Sequence, residues 1–281
     1  MQGFILLSSN ISVSQNEIKW GFTYVGHTID LTNVSNAEIL GNRILTGFGI
    51  GVWGKFSYVK NGHNWTMMPH YVKNITVANN VLINVTDGIT LYIVKNSKIL
   101  RNVVNFKNTG LMMIYSHNNS IEENNFTMHF IIRNYLYSRI FYILLFNSCN
   151  NSIYLNNFFY SENIPQYVDF HEFFSAVYFK LELSTINYWN TSKYGNYYQW
   201  WAERNDTNDK NGDGIVDYPW VIDENNTDYR PLKKPFVWEM RSKEERAGRE
   251  DFIFYLLIFL LSVAIIGSAF IWKFCKKNVG S

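Results

Sequence analysis

The sequence predicts an all-β fold, a right-handed parallel β-helix (solenoid), carrying one transmembrane α-helix near its C-terminus. Three observations predict it. "GITLYIVKNSKILRN" from Gly88 is repeated as "GLMMIYSHNNSIEEN" from Gly110, 22 residues later, and Asn74, Val77 and Asn80 keep the same register one period earlier. A fixed period of this length marks stacked units. Within a unit the apolar residues alternate, as in Ile89, Leu91 and Ile93, which is the two-residue period of a strand. Finally, Phe252 to Trp272 is a 21-residue run without a charge, long enough to cross a hydrocarbon core.

Taken in order, residues 1–38 read as an N-terminal β region of incomplete first coils. Residues 39–161 read as the parallel coils. Ile39 and Asn42 precede Val77 and Asn80, and Ile153 and Asn156 follow Ile121 and Asn124, each by more than one period. The excess length falls in two insertions, about 54–72 and 128–140, and both are candidate functional loops because insertions leave a solenoid at its corners. Ile and Val fill the interior, Ile99 stacking on Ile121. Asn stacks at the corners, where its amide bonds along the stack; one coil alone cannot bury its inner face. Right-handedness follows from the crossover preference of parallel strands. Residues 162–233 read as a cap, 234–251 as a charged stalk, 252–272 as the span and 273–281 as a short tail.

Charge separates the parts. From Ile39 to Ser161 three acids, Asp87, Glu122 and Glu123, face ten bases; from Glu162 to Asp228 twelve acids face four bases. The basic coils suit acidic glycans or lipid head groups. Nothing resembles a nucleic-acid-binding module, so no nucleic acid is expected as partner. Lys273, Lys276 and Lys277 follow the span directly and place the tail in the cytoplasm by the positive-inside rule. The lipid bilayer is therefore an expected partner through 252–272, with the solenoid outside a single-pass cell-membrane protein. Met1–Asn10 has no basic n-region and only a four-residue apolar run, so it is not read as a signal peptide. Export requires chain upstream of it, and the alternative topology is a tail-anchored protein facing the cytoplasm. Eleven Asn-x-Ser/Thr sequons favour export: Asn10, Asn33, Asn64, Asn74, Asn84, Asn118, Asn125, Asn150, Asn190, Asn205 and Asn225. They read as glycosylation sites, and none lies in or after the span. Cys149 and Cys275 make no disulfide framework. Cys149 is read as a buried, inert thiol.

The cap contains Asp209-x-Asn211-x-Asp213-Gly214-Ile215-x-Asp217. Hard cations take six to eight oxygens, and alternating carboxylate and amide oxygens, a glycine turn, a backbone carbonyl at Ile215 and a further acid at Asp217 supply them. The sequence therefore predicts a structural Ca²⁺ held by Asp209, Asn211, Asp213, Ile215 and Asp217. The twelfth loop position holds Trp220, and Asp223 or Glu224 is the candidate replacement.

The coil pattern "NNSIEENNF" and the closing run "GNYY…NDKNGDGIVDYPWVIDENNTDYRPL" together resemble the NosD-like parallel β-helix repeat family over roughly 30–233. Tyr198 replaces the usual Trp of the closing motif and Val216 the usual Gly. The resemblance implies the fold, and copper handling as one function; relatives of the fold bind or cut polysaccharides. Thioether and imidazole suit Cu(I), and His63, Met67, Met68 and His70 lie close together in the first insertion. Met112, Met113, His117, Met128 and His129 are further soft donors, although Met113 aligns with Leu91 and reads as core. A polysaccharide-cleaving enzyme is the other alternative. It needs paired carboxylates, and Glu122 and Glu123 are consecutive, so on a strand they face opposite ways. The reading that fits best is a non-catalytic, glycosylated surface protein that binds a glycan or an envelope component.

Overall fold

In the computed structural model the described residues are 4–6, 10–19, 26–61, 64–129, 140–161, 179–183, 186–204 and 208–238. Their regular structure is almost entirely β-strand, with one short helix, Gln199–Ala202. Two sheets dominate. The six-stranded sheet runs in sequence order through Ser12–Ser14, Ala37–Leu40, Ile75–Ala78, Lys98–Leu100, Ser120–Glu122 and Ser152–Tyr154, with every pairing parallel. The other sheet has twelve strands, also parallel throughout, centred on the long strands Val81–Tyr92 and Val103–Ile114.

The register carries the sequence period. Ile99 pairs with Ile121 and Val77 with Ile99, each one period apart. Val77 pairs with Ile39 and Ile121 with Ile153, across the predicted insertions. Equivalent side chains therefore form columns. Val13, Ile39, Val77, Ile99, Ile121 and Ile153 make one, all buried. Ile29, Ile50, Ile89, Leu111 and Ile143 make a second. In a third, Ile44, Leu82 and Val104 give way to Phe126, Phe158 and Tyr198, whose rings stack 5.7 and 5.3 Å apart. Met113 lies beside Leu91 in the core, as its alignment predicts.

The buried asparagines form a continuous hydrogen-bonded ladder. Each side-chain oxygen accepts from the amide and backbone N–H of the preceding asparagine, from Asn16 through Asn42, Asn80, Asn102, Asn124 and Asn156 to Asn196. A second row runs Ser97, Asn119, Asn151, Asn187. Burying an amide costs stability unless it is bonded, and a corner that repeats bonds itself. The pairing and the ladder reach beyond 39–161 on both sides, to Ser12 and Asn16 before it and to Tyr198 after it.

The cap ends both rows. Asn226 Oδ1 accepts from the Asn187 N–H, and Asp228 Oδ2 from the Asn196 N–H at 2.7 Å. The Asn226-Thr227-Asp228 stretch thus supplies the last acceptors of the stack. Gly195 sits against Asp228; a Cβ there would come 2.0 Å from Oδ1.

The expected insertion at 54–72 is an antiparallel hairpin of Lys55–Asn61 and Asn64–His70. Residues 130–139 of the second insertion, the stalk from 239 onward, the span 252–272 and the tail lie outside the described residues. Among the described residues no helix is long and apolar enough to cross a membrane.

Candidate functional site

The hairpin leaves the large sheet after Trp53 and returns at Tyr71. Gly54 permits this, because a Cβ there would meet the Ile93 and His70 carbonyls at 2.6 and 2.7 Å. Hairpin register pairs Phe56 with Pro69, Tyr58 with Met67 and Lys60 with Trp65, so these six share one face. Phe56 sets that face toward the sheet, edge-on to Tyr92 and Tyr115 at 6.1 and 5.2 Å. At the far end Tyr58, Trp65 and Met67 remain 66, 64 and 44 % exposed, with Lys60 Nζ 5.8 Å from the Trp65 ring.

Beneath the hairpin, an outward column of the sheet contains Trp53, Tyr92, Ile114 and Phe146 in register. Together with the hairpin it makes an unbroken aromatic strip: His27 on Trp53, Trp53 on Tyr92, Tyr92 on Phe56, Phe56 on Tyr115, Tyr115 on Phe146, with centroids 5.2–6.1 Å apart.

One end of the strip is polar. Asp30 Oδ1 accepts from Trp53 Nε1–H at 2.8 Å and Oδ2 from the His27 backbone N–H at 3.2 Å. His27 Nε2 lies 3.0 Å from Thr90 Oγ1, and its Nδ1 lies 3.6 Å from Asp30 Oδ1. Asp30, Gly51 and Thr90 are register neighbours. Gly51 makes the convergence possible, since a Cβ there would come within 2.4 Å of Asp30 Oδ1 and 2.5 Å of Trp53 Nε1. Burial pushes the His27 ring below its ordinary pKa, against the pull of Asp30 and Asp87. Asp87 itself accepts from Asn108 Nδ2 at 2.7 Å.

Hydroxyl, imidazole and carboxylate stand in the order used for nucleophilic catalysis, but Thr90 is 0 % exposed. A substrate carbonyl cannot approach it. The row braces Trp53 and fixes its indole, which suits a binding platform and not a nucleophile. Sequence reasoning missed His27 and Asp30. The signal was Gly51, a glycine at an outward strand position between an acid and a hydroxyl.

The other predicted residues fall as follows. In the acidic loop Asp209, Asn211 and Asp213 come together. Asp209 accepts from the Asp213 and Gly214 N–H groups, Asn211 from Asp213, and Asp213 from Ile215. Asp217 Oδ2 accepts from the Lys210 N–H. Gly212 and Gly214 take positive φ, as the turn requires. The side-chain oxygens of the loop are thus turned onto its own backbone N–H groups, as in a cluster of Asx turns. Asp223, a candidate replacement at the twelfth position, instead accepts from Asn225 and Asn226. For the soft-metal set, register separates Met67 from Met68 and His70, which face opposite ways. His70 Nε2 is 2.6 Å from Ser57 Oγ, and His63 lies outside the described residues. Among the described residues no group of three or more His, Cys, Asp or Glu is placed to hold a metal. Glu122 bonds the Tyr154 hydroxyl and Glu123 pairs with Arg101, so the two do not make an acid–base pair.

Of the sequons, Asn10, Asn33, Asn74, Asn84, Asn118 and Asn150 have positive φ, a conformation Asn tolerates better than most residues. All six are exposed, as are Asn64 and Asn225; Asn125 and Asn190 are half-buried, and Asn205 lies outside the described residues. Ser12, Thr76, Ser120 and Ser152 occupy one outward register column. Glu38 and Lys98 share that column, so the corner accounts for the Asn of these four sequons and not for the hydroxyl. Cys149 is half-buried, not sealed in the core as expected.

Compared with known proteins, the chain matches no family model, no curated protein and no solved structure.

Proposed function

We propose that this chain is a membrane-anchored surface protein, a right-handed parallel β-helix on a single C-terminal span, whose hairpin strip binds a glycan. The aromatic strip carries the reading. Trp53 is clamped by Asp30, while Tyr58 and Trp65 stand exposed at the far end of the hairpin on the same face as Lys60. Ring faces stack on the apolar faces of sugars, and amphipathic aromatics give contact area with little rotamer loss. The excess of bases over residues 39–161 favours an acidic glycan. Trp65→Ala and Tyr58→Ala are each expected to weaken binding of an acidic surface polysaccharide about tenfold. Titration of the full chain checks this, and an unchanged affinity in both variants removes the hairpin from the site.

In the same reading the acidic loop holds a structural Ca²⁺. The loop backs the closing segment: Val216 N–H donates to the Pro231 carbonyl, Lys233 N–H to that of Gly214, and Leu232 N–H to that of Asn196 at the end of the stack. At free Ca²⁺ 100 times the dissociation constant, binding stabilises by about 2.7 kcal/mol. Chelator is expected to lower the melting temperature, and Asp213→Ala to remove that sensitivity. Melting that ignores chelator in the unmodified protein contradicts the assignment.

A further inference from the structure

Past the hairpin, the outward column Lys73, Lys95, His117 follows the aromatic strip around the next corner. Cys149 continues it, 32 residues after His117, the same step that separates Ile121 from Ile153. Register therefore puts the thiol directly against the ring. Cys149 Sγ lies 3.1 Å from His117 Nδ1, and the Cys149 backbone N–H donates to the same nitrogen at 3.2 Å. Nδ1 thus carries the lone pair and the ring proton sits on Nε2. Tyr71, at the return of the hairpin, packs edge-on to His117 at 5.9 Å, and Lys95 Nζ stands 4.3 Å from the Tyr71 ring. Burial first, then the charge of Lys95, push the His117 ring below its ordinary pKa. The ring thus presents its Nδ1 lone pair to the thiol of a half-buried cysteine.

We infer that Cys149 and His117 form a thiol–disulfide exchange site whose substrate class is a low-molecular-weight disulfide. His117 Nδ1 removes the thiol proton. The Cys149 thiolate attacks one sulfur of the disulfide along the S–S axis. A new bond from Cys149 Sγ to that sulfur forms as the old S–S bond breaks, and the second sulfur leaves as a thiolate, which takes the proton back from the imidazolium. Cys149 is oxidised to a mixed disulfide and one half of the small disulfide is reduced to a thiol, so no other oxidant is needed. The thiolate is the reacting species in such exchange, and neighbouring His and Lys promote it. Lys95, the register neighbour of His117, adds positive charge on the same column. Among the described residues Cys149 is the free cysteine.

The test is the second-order rate of the full chain with the aromatic disulfide DTNB at pH 7, in a Cys275→Ser background so that only Cys149 reports. Glutathione is measured beside it. The proposal expects Cys149 to react about tenfold faster than glutathione, His117→Asn to remove most of that excess, and Lys95→Met to remove part of it. Where His117→Asn lowers the melting temperature, His117→Gln replaces it. A rate no greater than that of glutathione overturns the proposal. So does a fast rate that a folded His117 variant retains.

Discussion

Asn124→Ala is expected to destabilise the protein by about 4 kcal/mol. Its Oδ1 accepts both the backbone and the side-chain N–H of Asn102, and its Nδ2 donates to the Ile99 and Glu122 carbonyls and to Asn156 Oδ1. Both asparagines are 0 % exposed, so water does not replace what is removed. The Asn102 backbone N–H and the Ile99 carbonyl each lose a side-chain partner, at about 1–3 kcal/mol apiece. The control is Asn96→Ala at an exposed corner with φ +53°, where only the left-handed backbone is penalised, by about 1 kcal/mol. Urea unfolding of the two variants checks the contrast. Equal losses would mean that the buried ladder holds nothing the exposed corner does not.

Asp228 is expected to make the cap weaken as pH rises. Burial pushes its carboxyl up to about 7 from an ordinary value near 3.8, although the Asn196 and Arg230 backbone N–H groups, the Asn196 amide and the Tyr198 hydroxyl all pull the other way. A carboxyl with a raised folded pKa contributes its stability fully below the unfolded value, and loses it as pH climbs through the folded one. Between pH 4 and pH 8 the loss is about 4 kcal/mol. His27 and His117 work oppositely: their rings are held below the usual range by burial, so they cost stability as pH falls under the unfolded value. The measurement is therefore the difference between the protein and Asp228→Asn, by melting temperature from pH 5 to pH 8. The variant loses the bond from Arg230 N–H and starts less stable, but the Asp228 share of the pH slope should vanish. An identical slope in both proteins contradicts the assignment.

The central repeats were legible because nothing interrupts them. Asn80, Asn102 and Asn124 recur at an unbroken 22 residues, and a buried amide that bonds its own copy has no freedom to vary. The same logic, carried across the insertions, places Ile39 and Ile153. Farther out the spacing changes to 26 from Asn16 to Asn42 and to 40 from Asn156 to Asn196, so no fixed period marks the outer members, which read as incomplete first coils and a cap. The closing Asn226 and Asp228 were hidden for another reason: their role is to end a row, which has no period. His27 and Thr90 meet over 63 residues, a distance no local motif spans. Cys149 and His117 were within reach, because the longer step of that repeat was already known from Ile121 and Ile153. Four sequons fall on one corner, where Asn takes positive φ, but Glu38 and Lys98 stand in the same column as their hydroxyls, so the corner alone does not call for the hydroxyl.

The glycan-binding account stands or falls on the hairpin. Phe56 is its main contact with the strip, and Lys55 and His70 are paired across its base, so residues 56–69 can be exchanged for a two-residue turn with the parallel sheets left in register. The deciding measurement is a titration of the full chain, intact and hairpin-excised, with acidic polysaccharide, alongside melting curves of both. The account predicts that excision leaves a cooperative melt and abolishes binding. A folded, excised protein that binds as tightly as the intact one would contradict it.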